Sequence, residues 1–157
     1  MIKIDIPGFG TLRLDFLVSD FNGTLASDGK LIRGTASRLR AISSLLDIHV
    51  ATADTFGSAR QELGELKCTV HIVKGRKQDV QKQKLVEKLG SSHVVSIGNG
   101  MNDTRMLDVS KLSIAVIGCE GASAAALYAA DICVRDVTEA LDLLINTERM
   151  KATLRLS

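Results

Sequence analysis

The sequence predicts an α/β fold, a doubly wound and mostly parallel sheet with helices on both faces, preceded by an N-terminal β-hairpin. Three observations carry that expectation. From residue 16 onward, short apolar runs alternate with amphipathic segments along the whole chain, as repeated βαβ units do. Several of those runs stop abruptly at Asp, Thr or Gly, as strands do where they hand the chain to loops at one edge of a sheet. The length of 157 residues, 45% apolar and 24% charged, suits a single globular domain able to bury a core.

The elements follow in order. Ile2, Ile4 and Ile6 alternate with polar residues, Pro7-Gly8-Phe9-Gly10 supplies a turn, and Leu12 and Leu14 resume the alternation, so a hairpin is expected over 1–15. Phe16-Leu17-Val18 then forms an apolar burst that ends at Ser19-Asp20, which suits a central strand carrying Asp20 at its C-terminal end. Ser27-Asp28-Gly29 marks the tip of a small flap over 25–34. Leu39, Ile42, Leu45 and Leu46 fall at helical spacing within a helix over 36–46, with Thr35 as its N-cap. A strand over 48–52, a helix over 58–66 and a strand over 69–73 come next. An amphipathic helix over 77–89 closes on Gly90. The remainder reads as strand 93–97, a helix near 102–109, strand 112–117, helix 121–129, strand 131–134 and helix 136–145. No linker or repeat divides the chain, so residues 1–157 form one domain.

Composition excludes several roles. The net charge is +2 with no basic tract, and there is no Trp and one Tyr, so neither a nucleic-acid footprint nor a base-stacking platform is expected. No apolar run approaches the roughly 20 residues that cross a bilayer. The N-terminus lacks the uninterrupted apolar stretch of a signal peptide, so a cytoplasmic setting without membrane insertion is expected. Cys68, Cys119 and Cys133 lie too far apart for a zinc or redox motif, and Cys133 reads as a small core residue. His49, His71 and His93 fall in strands without metal-ligand spacing and read as core or edge histidines.

Four segments at strand ends carry chemistry. In Asp20-Phe21-Asn22-Gly23-Thr24 a carboxylate can attack phosphorus or bind a metal, and backbone N–H groups in the turn can cradle phosphate oxygens; Asp, Asn and Gly are also plain turn residues. In Ala51-Thr52-Ala53-Asp54 the Thr52 hydroxyl can donate to an anion, although capping the next helix is the simpler role. Around Gln81-Lys82-Gln83-Lys84 a lysine can neutralise phosphoryl charge, with Lys74, Arg76, Lys77, Lys82, Lys84 and Lys88 all competing for that position. Ser96-Ile97-Gly98-Asn99-Gly100-Met101-Asn102-Asp103 combines glycines that permit close approach with Asn99 and Asp103, oxygen donors suited to Mg2+.

Taken together, and in this order along nearly the whole chain, the segments resemble the haloacid dehalogenase (HAD) superfamily, whose pattern runs Asp-x-Asp-Gly-Thr, Thr or Ser, Lys, and Gly-Asp-Gly-x-x-Asp. Within it, Gly98–Asp103, Ile114-Ala115-Val116 and Ala129-Ala130-Asp131-Ile132 look like the phosphorylation domain of P-type ATPases and its free-standing soluble relatives. The resemblance implies a Rossmann-like HAD core. It makes Asp20 the nucleophile, with Asn22, Thr52 and Lys82 beside it in the catalytic set, Lys82 being favoured over Lys84 by register with Val86 and Leu89. It places the substrate phosphate on Phe21, Gly23, Thr24, Ala53 and Asn102. It assigns Mg2+ to Asp20, Asn99, Asp103 and the backbone carbonyl of Asn22.

The chain departs from the family in two places. Asn22 stands where most HAD phosphatases carry an Asp that acts as general acid and base, and Asn99 stands where a metal-binding Asp is usual. Both substitutions point to slow turnover. The spacings from Thr24 to Thr52 and from Thr52 to Lys82 leave no room for a cap domain. The expected function is therefore a Mg2+-dependent phosphohydrolase or phosphotransferase acting on a phosphorylated small molecule or phosphoryl donor. The alternative is a non-catalytic regulator that binds phosphate or a partner. A third reading, an accessory to cation transport, rests on the P-type likeness alone. A capless site and an apolar hairpin face also lead us to expect a homo-oligomer in which hairpin or flap shields a neighbouring site.

Overall fold

The computed structural model describes residues 1–54 and 57–156. Strands β1 (Ile2–Ile6) and β2 (Gly10–Leu14) form the antiparallel hairpin, with Ile2 opposite Leu14 and Ile4 opposite Leu12. β3 (Phe16–Ser19) enters the main sheet and is followed by the flap, β4 (Ala26–Ser27) and β5 (Lys30–Leu31). The chain continues through α1 (Thr35–Ile42), β6 (Asp47–Thr52), α2 (Ala59–Leu63), β7 (Thr69–Ile72) and α3 (Gln78–Leu89). β8 (Val94–Gly98) leads through a 3-10 turn at Met101–Asp103 into α4 (Thr104–Val109). β9 (Leu112–Val116), α5 (Ala124–Ala129), β10 (Ile132–Val134), α6 (Val137–Ile145) and α7 (Thr147–Leu154) complete the chain.

The main sheet has six parallel strands in the order β10-β9-β8-β3-β6-β7. The chain winds outward from β3 through β6 and β7, then returns to the other side of β3 and winds outward again through β8, β9 and β10. The winding direction therefore reverses between β3 and β8, and the crevice beyond their C-terminal ends is where an open α/β sheet binds ligands. Asp20 follows β3 and Asn99 follows β8, so the fold delivers both to that crevice.

Alternation along the strands feeds two cores. Leu17, Val95 and Ile97 pack with α1, α2, α6 and the hairpin, whereas Val18 and Val94 pack with Val86 of α3, Met106 and Leu107 of α4 and Ala126 of α5. The flap turns through Asp28 (φ 50) and Gly29 (φ 78), the paired left-handed residues of a tight hairpin. Among the described residues, only this flap, α1 and β6 lie between Thr24 and Thr52, and only α2, β7 and the start of α3 between Thr52 and Lys82, so neither interval holds a cap domain. No described helix is long and apolar enough to cross a membrane.

The structure corrects several expectations. The expected hairpin is present as its own two-stranded sheet, but its apolar face is turned inward. Ile6, Leu12 and Leu14 are buried against α1, α6 and α7 of the same chain, and Leu156 N–H donates to Pro7 O at 3.0 Å. The surface on which the homo-oligomer expectation rested is thus consumed within one subunit. Helix α7 lies beyond the last expected element; its fully buried Met150 anchors it beneath the hairpin. Thr35 does not cap α1, because Gly34 (φ 87) takes that position and Thr35 is buried inside the first turn. The helix expected from residue 121 begins at Ala124, capped by the Ser123 hydroxyl, which accepts from Ala126 N–H. Cys133 is exposed rather than a core residue, since β10 is an edge strand. His49 and His71 are half-buried partners on adjacent strands, with Nδ1 and Nε2 2.9 Å apart.

Because Leu14 is fully buried where hairpin, sheet and α7 meet, Leu14→Ala should lower unfolding stability by about 2–5 kcal/mol in denaturant titrations. A loss below about 1 kcal/mol would mean that the hairpin is not part of the cooperative core.

Candidate active site

Each functional side chain comes from the end of an element. β3 is held between β6 and β8, and Asp20 N–H still donates to Ile97 O at 3.0 Å, so Asp20 begins the loop with its backbone clamped. Its side chain is only 10% exposed. Lys82 projects from the buried face of α3, one turn before Val86, and its ammonium is fully buried. It donates to Asp20 Oδ1 at 2.6 Å and to Asp103 Oδ1 at 2.7 Å. By contrast Lys74, Arg76, Lys77, Lys84 and Lys88 are all exposed, so burial separates Lys82 from its sequence competitors.

Asp103, also fully buried, has its other oxygen occupied. Oδ2 accepts from Asn99 N–H at 3.0 Å and from Gly100 N–H at 2.9 Å, which folds the Gly98–Asp103 loop around it. Asn99 is fixed at both ends of its amide: Oδ1 accepts from the Thr24 hydroxyl at 3.2 Å, and Nδ2 donates to Gly121 O at 3.0 Å. Thr24 Oγ1 also lies 3.5 Å from Asp20 Oδ2, so Thr24 links the two strand ends. Gly23 has φ 81, and a Cβ there would strike the Glu120 carboxylate and lie 2.8 Å from Asn99 Nδ2; only glycine fits this turn.

Thr52 Oγ1 accepts from Asp54 N–H at 3.0 Å, and Asp54 Oδ1 accepts from Ala59 N–H at 3.0 Å at the start of α2. The capping work at this corner therefore falls to Asp54, and the Thr52 hydroxyl, which lines the cleft, has no acceptor for its hydrogen among the described residues. That cleft has a volume of about 290 Å3 and is lined by Asp20, Asn22, Thr52, Ala53, Asn99 and Asn102, together with Gln78, Gly100 and Glu120.

Six of the expected site residues thus share one cleft. Lys82 and Asp103 stand behind Asp20 rather than on the cleft wall, and Asp103 does not reach it as a metal ligand would. Gly23 and Thr24 lie beneath the wall. The Phe21 side chain is in the hydrophobic core, leaving only its backbone near the site. Gln78 and Glu120 were not anticipated. Gln78 opens α3 next to the chemistry, but Glu120 belongs to an aperiodic loop that offers no pattern to read.

Two buried carboxylates share one ammonium, and the electrostatics follow from that shortage. Burial pushes the Asp20 carboxyl up from its ordinary 3.8 to about 7, and the Asp103 charge adds to the effect. The charge and hydrogen bond of Lys82 and the Phe21 backbone amide oppose it. Burial works against the Lys82 ammonium, yet the two carboxylates together hold its pKa above the ordinary value. The oxygens around the cleft suit a hard divalent cation. Asn22 Oδ1 is buried without a partner, Asp20 Oδ2 has only the long Thr24 contact, and Asn99 contributes an amide oxygen. Among the described residues no three His, Cys, Asp or Glu side chains converge, so this donor set depends on amide and carbonyl oxygens.

No protein-family model matches the chain. A deoxy-D-mannose-octulosonate 8-phosphate phosphatase from Haemophilus influenzae, solved with cobalt bound, superposes with TM-score 0.71 at 12% identity, covering 89% of this chain and 92% of that one. The 3-deoxy-D-manno-octulosonate 8-phosphate phosphatase of Moraxella catarrhalis, solved with magnesium, phosphate and KDO, gives TM-score 0.67 at 19% identity over 90% of this chain and 94% of that one. A HAD-family hydrolase from Streptomyces avermitilis gives TM-score 0.67 at 21% identity over 84% of each chain. The fold is that of the HAD superfamily, a Rossmann-like α/β core. In sequence, an uncharacterised protein of Methanocaldococcus jannaschii is 42% identical over 82 residues, which span 50% of this chain and 88% of that protein. The chain belongs to one family with this archaeal protein.

The raised Asp20 pKa has a consequence for stability. The folded chain keeps the Asp20 proton up to about pH 7, whereas an unfolded carboxyl releases it near 3.8. Asp20 therefore favours the metal-free fold fully below pH 3.8, and that contribution is lost as pH rises through 7. In chelator, the Tm should fall between pH 5 and 8, and Asp20→Asn should flatten that decline; an equal slope in both proteins would contradict the shift.

Proposed function

We propose that the protein is a Mg2+-dependent phosphohydrolase or phosphotransferase of the HAD type, acting through an aspartyl-phosphate on Asp20. The observation that carries this reading is the fully buried Lys82, bonded to both Asp20 and Asp103 directly behind a polar cleft at the switch point of the sheet. Burying such a cation is costly, the two carboxylates offset that cost, and the ammonium they hold is placed to neutralise charge during phosphoryl transfer.

In this reading the phosphate enters the cleft and accepts hydrogen bonds from the Thr52 hydroxyl and the backbone N–H of Asn22, since the Asp20, Gly23 and Thr24 amides already donate to Ile97 O, Ala26 O and Phe21 O. A carboxylate oxygen of Asp20 forms a bond to phosphorus as the ester oxygen leaves with its electron pair and takes a proton from solvent. Water then attacks phosphorus, yields a proton to solvent, and releases inorganic phosphate and free Asp20; in a phosphotransferase an acceptor hydroxyl replaces that water. Lys82 holds Asp20 in line and offsets the phosphoryl charge. Asp103 orients Lys82 and the Gly98–Asp103 loop. Asp20, Asn99 and the Asn22 carbonyl would hold Mg2+, which when bound neutralises the phosphate and makes phosphorus more electrophilic.

Asn22 cannot exchange a proton near neutral pH, so both steps rely on solvent where most relatives with this fold pattern use an Asp. Turnover is accordingly slow, and the phospho-aspartate is long-lived. This property and the Gly98–Asp103 string favour the branch that resembles the P-type ATPase phosphorylation domain.

With a generic aryl phosphate and Mg2+, hydrolysis should be measurable, and Asp20→Asn should abolish it without loss of fold. Asn22→Asp should raise kcat by about 10²–10⁴-fold. Equal Mg2+-dependent turnover in Asp20→Asn would overturn the assignment. No turnover in any variant would favour a phosphate-binding regulator.

A further inference from the structure

The loop between β9 and α5 carries the one cleft-lining carboxylate that the reaction above does not use. Gly118 (φ 56) and Gly121 (φ 75) let this loop turn back over the site. A Cβ on Gly118 would lie 3.3 Å from Gly23 O, so the loop is pressed against the turn that follows Asp20. Asn99 ties it down from below: its Nδ2 donates to Gly121 O at 3.0 Å, and its carbonyl accepts from Ser123 N–H at 2.8 Å. The result places the Glu120 carboxylate over Gly23, lining the same cleft as Asp20, Asn22 and Asn99. None of the ion pairs among the described residues involves Glu120.

We propose that Glu120 supplies the second negative charge of the cation site, replacing the one that Asn99 lacks. The inference rests on the reading of Asp20 and Asn99 as the residues that hold the cation. Charge balance supports it. Once an arriving cation has displaced the Asp20 proton, Asp20 and Asp103 against Lys82 leave one net negative charge around the cleft, and Glu120 brings that to two, which matches a divalent ion. The amide at position 99 and the carboxylate at 120 also belong together physically. Asn99 Nδ2 must donate to the Gly121 carbonyl, a contact that a carboxylate at 99 would turn into oxygen against oxygen. The loop that requires an amide at 99 is the loop that carries Glu120. Asn22, whose buried Oδ1 has no partner among the described residues, lines the same cleft.

The test is Mn2+ binding to the full chain without substrate, followed by electron paramagnetic resonance, for wild type, Asp20→Asn, Glu120→Gln and Asp28→Asn. Asp28 is exposed at the flap tip, next to the Cys119–Ser27 contact, and controls for general surface charge. Glu120→Gln should weaken Mn2+ binding by about 10-fold or more, while Asp28→Asn should stay within about twofold. Melting in chelator should be alike for Glu120→Gln and wild type. If Asp20→Asn loses Mn2+ but Glu120→Gln binds within twofold of wild type, the role of Glu120 is overturned and the reading of Asp20 stands. Equal weakening by Asp28→Asn and Glu120→Gln would also overturn it, as a surface-charge effect. If wild type binds no Mn2+ at millimolar concentration, the cation reading of the whole site fails.

Discussion

The structure is organised around one buried ammonium shared by two carboxylates. Lys82 is fully enclosed, and such a charge is tolerable in a protein interior only when its donors find partners. Asp20 and Asp103 provide them, at 2.6 and 2.7 Å, from the segments that follow β3 and β8, two strands that meet only in the folded sheet. That requirement fixes the register of β3 against β8, the rotation of α3 and the tight 3-10 turn that brings Asp103 back beneath the Gly98–Asp103 loop. It also leaves the site with more negative charge than its lysine can balance, so the cleft in front of Asp20 favours a proton or a cation. A cation bound there would prepare the site for a phosphate.

The rest of the fold serves this arrangement from outside. The reversal of winding between β3 and β8 opens the crevice, and the hairpin and α7 close the far side of the core rather than the site. Among the described residues no cap domain lies over the cleft. The loop from β9 to α5, anchored on Asn99, carries Glu120 to the cleft.

Much of this was legible in the sequence, for identifiable reasons. β3 could be read because Phe16-Leu17-Val18 is an apolar run cut short by Ser19-Asp20, and the hairpin because its alternation is unbroken. Lys82 could be placed only through the family register, since local pattern treats Lys82 and Lys84 alike. In the folded chain its spacing from Val86 puts it on the buried face. Helix α7 was not legible because Met150 is its only fully buried anchor, and one buried residue makes no periodicity. Glu120 was invisible for a different reason: its position depends on left-handed glycines and on a long-range bond from Asn99, and neither leaves a periodic trace. The hairpin face was recognised as apolar, but whether it would be covered by this chain or by another depended on α7.

The central claim, that Asp20 accepts a phosphoryl group, is tested most directly by forming a stable mimic of that state. Fluorine NMR of the full chain with beryllium fluoride and Mg2+ should show bound resonances in wild type that are absent in Asp20→Asn and diminished when Mg2+ is removed. Asn22→Asp should retain them, since the substitution alters turnover and not the acceptor. Bound resonances that persist unchanged in Asp20→Asn, or their absence from the wild-type protein, would contradict the claim.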